Sequence, residues 1–192
     1  MKTMKTMKTM KTIKLLAILF ISALTFTACS EDDHDHDDHD HENEVMTTLT
    51  YKLTNGNDQV VLTFKDLDGE GGNDGTYDIS GPLSANTTYT GEIKILNETE
   101  SPAEDITEEI KEEDDEHEFF YTSTVSGLAI EKTDVDGDGN PLGLETSVTS
   151  GGAGSGSITI VLKHEPTKPN DGTSSDAGGS TDIEVVFNVT VQ

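Results

Sequence analysis

After residue 44 the chain is built from short runs in which every second residue is apolar, separated by clusters of Gly, Asn and Asp. The most regular run is Ile183, Val185, Phe187, Val189 and Val191. Successive side chains of a strand point to opposite faces, so this spacing makes a ribbon with one buried and one wet face. An amphipathic helix needs apolar residues three and four apart, and the pattern does not supply them. Leu49, Tyr51, Leu53, then Val60, Leu62, Phe64, then Tyr89, Gly91, Ile93, Ile95, then Ile158, Ile160, Leu162 repeat the alternation. Weaker strand signals cover 76–80, 118–124, 128–133 and 144–150. Asn55-Gly56-Asn57 reads as a hairpin turn between the first two strands. About nine strands with polar turns predict an all-β, antiparallel sandwich over residues 45–192.

Leu83-Ser84-Ala85-Asn86-Thr87-Thr88-Tyr89 resembles the Leu-x-Pro-x-Thr-x-Tyr run of fibronectin type III domains, with Ala85 in place of the proline. The resemblance implies an immunoglobulin or fibronectin III-like sandwich in which Tyr89 forms a corner by bonding back to the backbone. It implies no particular function. One short acidic helix is expected as an insertion. Ser101, Pro102 and Glu104 stand as N-cap, first helical residue and capping-box partner, with Ile106 and Ile110 on one face, and predict a helix over 102–113.

The first 28 residues carry a different message. Four tandem Met-Lys-Thr units and Lys14 precede an apolar stretch, 15–28, which is too short for an ordinary membrane span and ends at Cys29. A positive start, an apolar centre and small residues before a cleavage point predict a signal peptide over 1–28. Phe26-Thr27-Ala28-Cys29 resembles the bacterial lipobox, which implies lipidation of Cys29 and anchoring of the chain to a membrane. Ser30-Glu31-Asp32-Asp33 resembles the acidic signal that places lipoproteins of Bacteroidota on the outer face of the outer membrane. Residues 29–44 hold no apolar side chain beyond the cysteine, and their composition predicts a disordered tether.

Acidic side chains number 38 against 12 lysines and no arginine, a net charge of -26. Five of those lysines lie before Cys29, so the remainder is more acidic still. Nucleic acid is excluded as a partner, because its binding rests on cationic groups displacing counterions from phosphate.

Asn97 to Glu109, Glu116-His117-Glu118-Phe119-Phe120-Tyr121, His164-Glu165-Pro166 and Lys168-Pro169-Asn170-Asp171-Gly172 together resemble an uncharacterised family of Bacteroidota lipoproteins. Its members often bear the label of a type 1 periplasmic binding fold superfamily. That label would imply two doubly wound α/β lobes, which one helix and nine strand signals cannot build.

Four constellations could carry chemistry. In the tether, His34, His36, His39 and His41 alternate with carboxylates, a donor set that suits Zn²⁺ and also Cu²⁺ or Ni²⁺; the plain alternative is a self-repelling spacer. At the end of the helix, Glu112, Asp115, Glu116 and His117 close a run of like charges that a bound cation would relieve, or that water simply solvates. Asp134, Asp136, Asp138 and Glu145, with Gly139 at the sixth position, have the oxygen spacing of a calcium loop. The helices of an EF-hand are lacking there, so a Gly-rich hairpin with weak Ca²⁺ binding is the expectation. His164 ends its strand on the core-facing parity and is expected at the sandwich rim as a satisfied histidine; should the rim also hold His117, the alternative is a second fixed metal site.

No nucleophile elbow or phosphate loop accompanies these groups, and the single cysteine is assigned to lipid, so the chain is not expected to be an enzyme. The expectation is a surface lipoprotein that captures divalent metal, zinc first, and hands it to a TonB-dependent receptor. The rival expectation is a non-catalytic adhesion or carbohydrate-binding sandwich held out on an acidic tether.

Overall fold

Leu49, Tyr51 and Leu53 are fully buried along β1 (Thr48–Asn55), and the residues between them are partly exposed, as period-two alternation demands. A computed structural model describes residues 45–69, 72 and 74–192, and the readings made on residues 1–44, Cys29 and the four tether histidines included, lie outside that set. Strand β1 turns into β2 (Asp58–Lys65) through Gly56 and Asn57, with Asn55 opposite Asp58. Gly56 has φ +57°, and a positive φ at the first residue of a two-residue hairpin loop is a conformation that glycine enters without a Cβ clash.

Next come β3 (Thr76–Ile79) and β4 (Thr88–Leu96). The Tyr89 hydroxyl accepts the Ser84 N–H at 2.8 Å, the bond that shapes a tyrosine corner. Then follow β5 (His117–Ser123), β6 (Ala129–Lys132), β7 (Glu145–Thr149), β8 (Gly154–His164) and β9 (Ser180–Val191). One sheet has the order β3-β2-β1-β4-β7-β6 and the other β5-β8-β9, with every pairing antiparallel. The expected antiparallel sandwich is what forms, divided six strands against three.

Both sheets feed one core. Tyr51, Tyr89, Leu49 and Ile95 meet Phe119, Ile158, Ile160, Leu162 and Phe187. Full burial of one such side chain is worth about 1.5–3 kcal/mol, so slipping β9 by one residue would expose five of them and cost far more than a hydrogen bond. The register of β9 on β8 does shift once, between Leu162 and Lys163. Leu162 faces Ile183 and Lys163 faces Thr181, which leaves Asp182 as an extra residue in a bulge. Among the described residues, β9 is bridged on its far side only near its end. Leu83 donates to the Thr190 carbonyl at 2.9 Å, and the Gln192 N–H donates to Leu83 at 2.9 Å.

The helix, α1 (Ile106–Glu112), is shorter than the expected 102–113. Asn97 and Glu104 exchange both backbone hydrogen bonds, 3.1 and 3.0 Å, and that bridge holds the segment between them as a loop. Glu104 is therefore spent on a bridge and cannot complete a capping box; Asp105 begins the helix instead, without a side-chain cap. Ile106 and Ile110 bury as expected. Thr107 clamps the helix to β4: its hydroxyl accepts the Ile95 N–H at 2.8 Å and lies 3.2 Å from the Ile95 carbonyl, serving backbone groups that lie past the end of β7. No helix among the described residues is long and apolar enough to cross a membrane.

Candidate metal centre

Strands β5 and β8 bring His117 and His164 directly opposite each other, and the two rings stack with centroids 5.0 Å apart and planes 12° apart. The parity is the cause. His117 is in phase with Phe119 and Tyr121, and His164 with Ile160 and Leu162, so both imidazoles follow the core face out to the rim. His117 is buried, and His164 is half-buried.

Two carboxylates stand beside His164. Glu116 Oε2 is 3.6 Å from its Nε2. Glu165 comes next in the chain at φ +51°, a left-handed turn uncommon for a side-chain-bearing residue, and donates its N–H to the Glu116 carbonyl at 2.6 Å. One ligand atom each from Glu116, His164 and Glu165 lie within 4.8 Å of one another. Gly179, at φ +64°, passes so close that a Cβ there would be 2.2 Å from the His164 carbonyl oxygen, which only glycine permits.

His117 is oriented from behind. Its Nδ1 lies 3.1 Å from the Glu113 carbonyl at the helix C-cap, so the proton belongs on Nδ1 and the Nε2 lone pair faces away. The same carbonyl also accepts the Glu116 N–H at 3.0 Å. Nε2 then faces Asp182 Oδ2 at 4.0 Å, with side chains 3% and 18% exposed. Burial lowers the His117 pKa below its ordinary value, against the opposing pull of the Glu113 carbonyl and Asp182. Burial likewise raises that of Asp182, against His117, His164 and Lys163. Both shifts run toward the uncharged forms, and burial is the larger cause in each.

Of the expected donors the structure brings together Glu116 and His164, and adds Glu165; His117 stacks on His164 and faces Asp182 without sharing that group. Glu112 and Asp115 are exposed and do not join the group.

The Asp134–Glu145 segment is arranged otherwise. Asp134 accepts the Gly143 and Leu144 N–H groups, each at 2.8 Å. Asp136 accepts the Asp138 N–H at 3.0 Å and the Asn140 N–H at 2.8 Å, and its other oxygen meets the Lys168 ammonium at 3.0 Å. That pair is almost wholly buried, 6% exposed at Lys168 and 0% at Asp136. Burial pushes the Asp136 pKa up, but Lys168 and Asn140 outweigh it and hold the group below the usual carboxylate range. Asp138 and Glu145 stay exposed. The four residues spaced for calcium do not meet in a common donor set among the described residues.

Lys168 was not singled out as a functional residue by the sequence, and it also donates to the Asp114 carbonyl at 2.7 Å. A second buried acid, Glu118, is matched in the same manner by Lys132 and by Asn170, the latter at 2.6 Å.

Searches against family models, curated proteins and solved structures find no match to this chain.

Proposed function

We propose that this chain is a lipid-anchored protein of the outer-membrane surface that captures divalent metal, zinc first, and passes it to a TonB-dependent receptor. The observation that carries the reading is that Glu116, His164 and Glu165 each bring one ligand atom within 4.8 Å of the others, with Glu116 Oε2 3.6 Å from His164 Nε2. Zinc takes imidazole and carboxylate ligands at about 2.0–2.2 Å, which sets neighbouring donors about 3.3–3.5 Å apart in a tetrahedron. The His164–Glu116 separation is close to that, so small side-chain rotations suffice. Three protein donors leave a coordination position for an incoming ligand, which suits a site that loads and unloads. His34, His36, His39 and His41 stand a few residues before the sandwich in sequence and offer further imidazoles for first contact. The lipobox-like stretch at Cys29 supports the anchor.

Calorimetric titration of the whole chain in detergent with zinc tests the capture reading. The unaltered chain is expected to bind, replacing the four tether histidines by serine to remove the weaker heat, and Glu116→Gln with His164→Gln to remove the tighter one. Absence of zinc heat from the unaltered chain would defeat the reading and leave the adhesion or carbohydrate-binding module. Radiolabelled palmitate uptake, lost in Cys29→Ser, and protease shaving of intact cells test the anchor and its outward exposure.

A further inference from the structure

We propose that the chain cross-links itself: Lys132 Nζ displaces ammonia from the Asn170 side chain to form an amide bond, with Glu118 carrying the proton. The bond lies on the opposite face of β5 from the histidine stack and does not depend on metal capture.

Alternation along β5 turns Glu118 and Phe120 away from the main core, and there Phe120 packs with Val161 and Ala177 in a small apolar cluster of its own. Glu118 is only 2% exposed in this layer, and its two oxygens hold two different nitrogen groups. Oε1 accepts from the Lys132 amine at the end of β6, and Oε2 accepts from Asn170 Nδ2, in the connection between β8 and β9, at 2.6 Å. An amine and a carboxamide on one buried carboxylate are the parts of an acyl transfer: nucleophile, leaving group and proton carrier.

The surroundings suit each part. The Lys132 side chain is 15% exposed, and Phe120 forms the floor beneath Nζ, with its ring centre 4.3 Å away. Burial lowers the Lys132 pKa, against the pull of Glu118, and so raises the share of free amine that can attack. The carboxamide is held at both ends. Its Nδ2 also donates to the Thr167 carbonyl at 3.0 Å, and its Oδ1 accepts the Gly172 N–H at 2.8 Å. That N–H stands where negative charge develops when the carboxamide carbon is attacked.

The Lys132 ammonium first gives a proton to the Glu118 carboxylate. The Nζ lone pair then bonds to Cγ of Asn170, and the carbonyl electrons move onto Oδ1. Glu118 passes its proton to Nδ2 and takes one from Nζ. The Cγ–Nδ2 bond breaks, the carbonyl reforms, and ammonia leaves through a cavity of about 310 Å³ that Pro141 and Pro169 line together with these side chains. The exchange is redox-neutral and needs no co-reactant. Lys168, Asp136 and Asn140 make a similar set, but Asp136, its pKa held low, is a poor proton acceptor, so that set stays an ion pair.

Tryptic mapping of the full chain by mass spectrometry, after purification in the folded state, tests the bond. The peptides carrying Lys132 and Asn170 are expected as one branched species, about 17 Da below their summed mass through loss of ammonia, with cleavage after Lys132 blocked. Glu118→Gln, Lys132→Arg and Asn170→Ala are each expected to return the two peptides unlinked. Lys132→Arg keeps the positive charge beside Glu118, and circular dichroism confirms its folding. Unlinked, full-mass peptides from the unaltered folded chain overturn the proposal. A linked pair that persists in folded Glu118→Gln overturns the role of Glu118.

Discussion

The Asp134–Glu145 loop and the strand ends around His164 are both rich in carboxylates, but they dispose of the negative charge in opposite ways. In the loop, backbone N–H groups and the Lys168 ammonium occupy the oxygens of Asp134 and Asp136. At the strand ends, Glu116 and Asp182 face imidazole nitrogens 3.6 and 4.0 Å away, beyond hydrogen-bond range. Acidic density therefore does not mark a cation site. The proposed site differs from the loop in having imidazoles, rather than backbone N–H groups or an ammonium, beside its carboxylates.

The largest effect should come from stripping the loop of its internal cation. Lys168→Met leaves Asp136 buried and unpaired, and is expected to cost about 3–5 kcal/mol in urea unfolding. A loss under 1 kcal/mol would show that the loop does not depend on this pair.

Next, zinc at a hundredfold excess over Kd should stabilise the folded chain by about 2.7 kcal/mol, read as a rise in Tm, and His164→Gln should abolish the rise. An equal rise in that variant would place binding elsewhere.

The Asp136 pKa also predicts a pH dependence. Because it lies below the unfolded value of about 3.9, its stabilisation is full above that pH and is lost as pH falls through the folded pKa. Acid titration of stability should show this slope below about pH 4 in the native chain and its loss in Lys168→Met.

Smallest of all, Asp138→Asn with Glu145→Gln should shift stability by less than about 0.5 kcal/mol, since both side chains are exposed. Millimolar calcium should leave Tm unchanged with or without the pair of substitutions. A calcium-dependent rise lost in the double variant would erase the contrast between the two regions.

The strands were legible because alternation and turn residues are local signals, and burial of one face enforces them. The helix start was not. Ser101, Pro102 and Glu104 satisfy a local capping pattern, but the pairing of Glu104 with Asn97 closes a loop that no window centred on the helix displays. At the site, His117 and His164 could be placed by parity alone. Asp182 could not, because alternation assigns it to the wet face and only a one-residue register shift against β8 redirects it. Lys168 escaped for a related reason: its partner Asp136 lies 32 positions away, and a lysine in a loop has no periodicity to betray burial.

The far edge of β9 has a consequence of its own. Following the alternation from Thr190, whose carbonyl meets Leu83, the outward backbone groups of Glu184, Val186 and Asn188 meet no strand among the described residues, and Val186 is 41% exposed. Such a seam invites edge-to-edge stacking of copies, and the net charge of -26 is then a colloidal safeguard that keeps neighbours apart. Salt near 1 M, which shortens the reach of charge to about 3 Å, would disarm that safeguard and let the seams find one another.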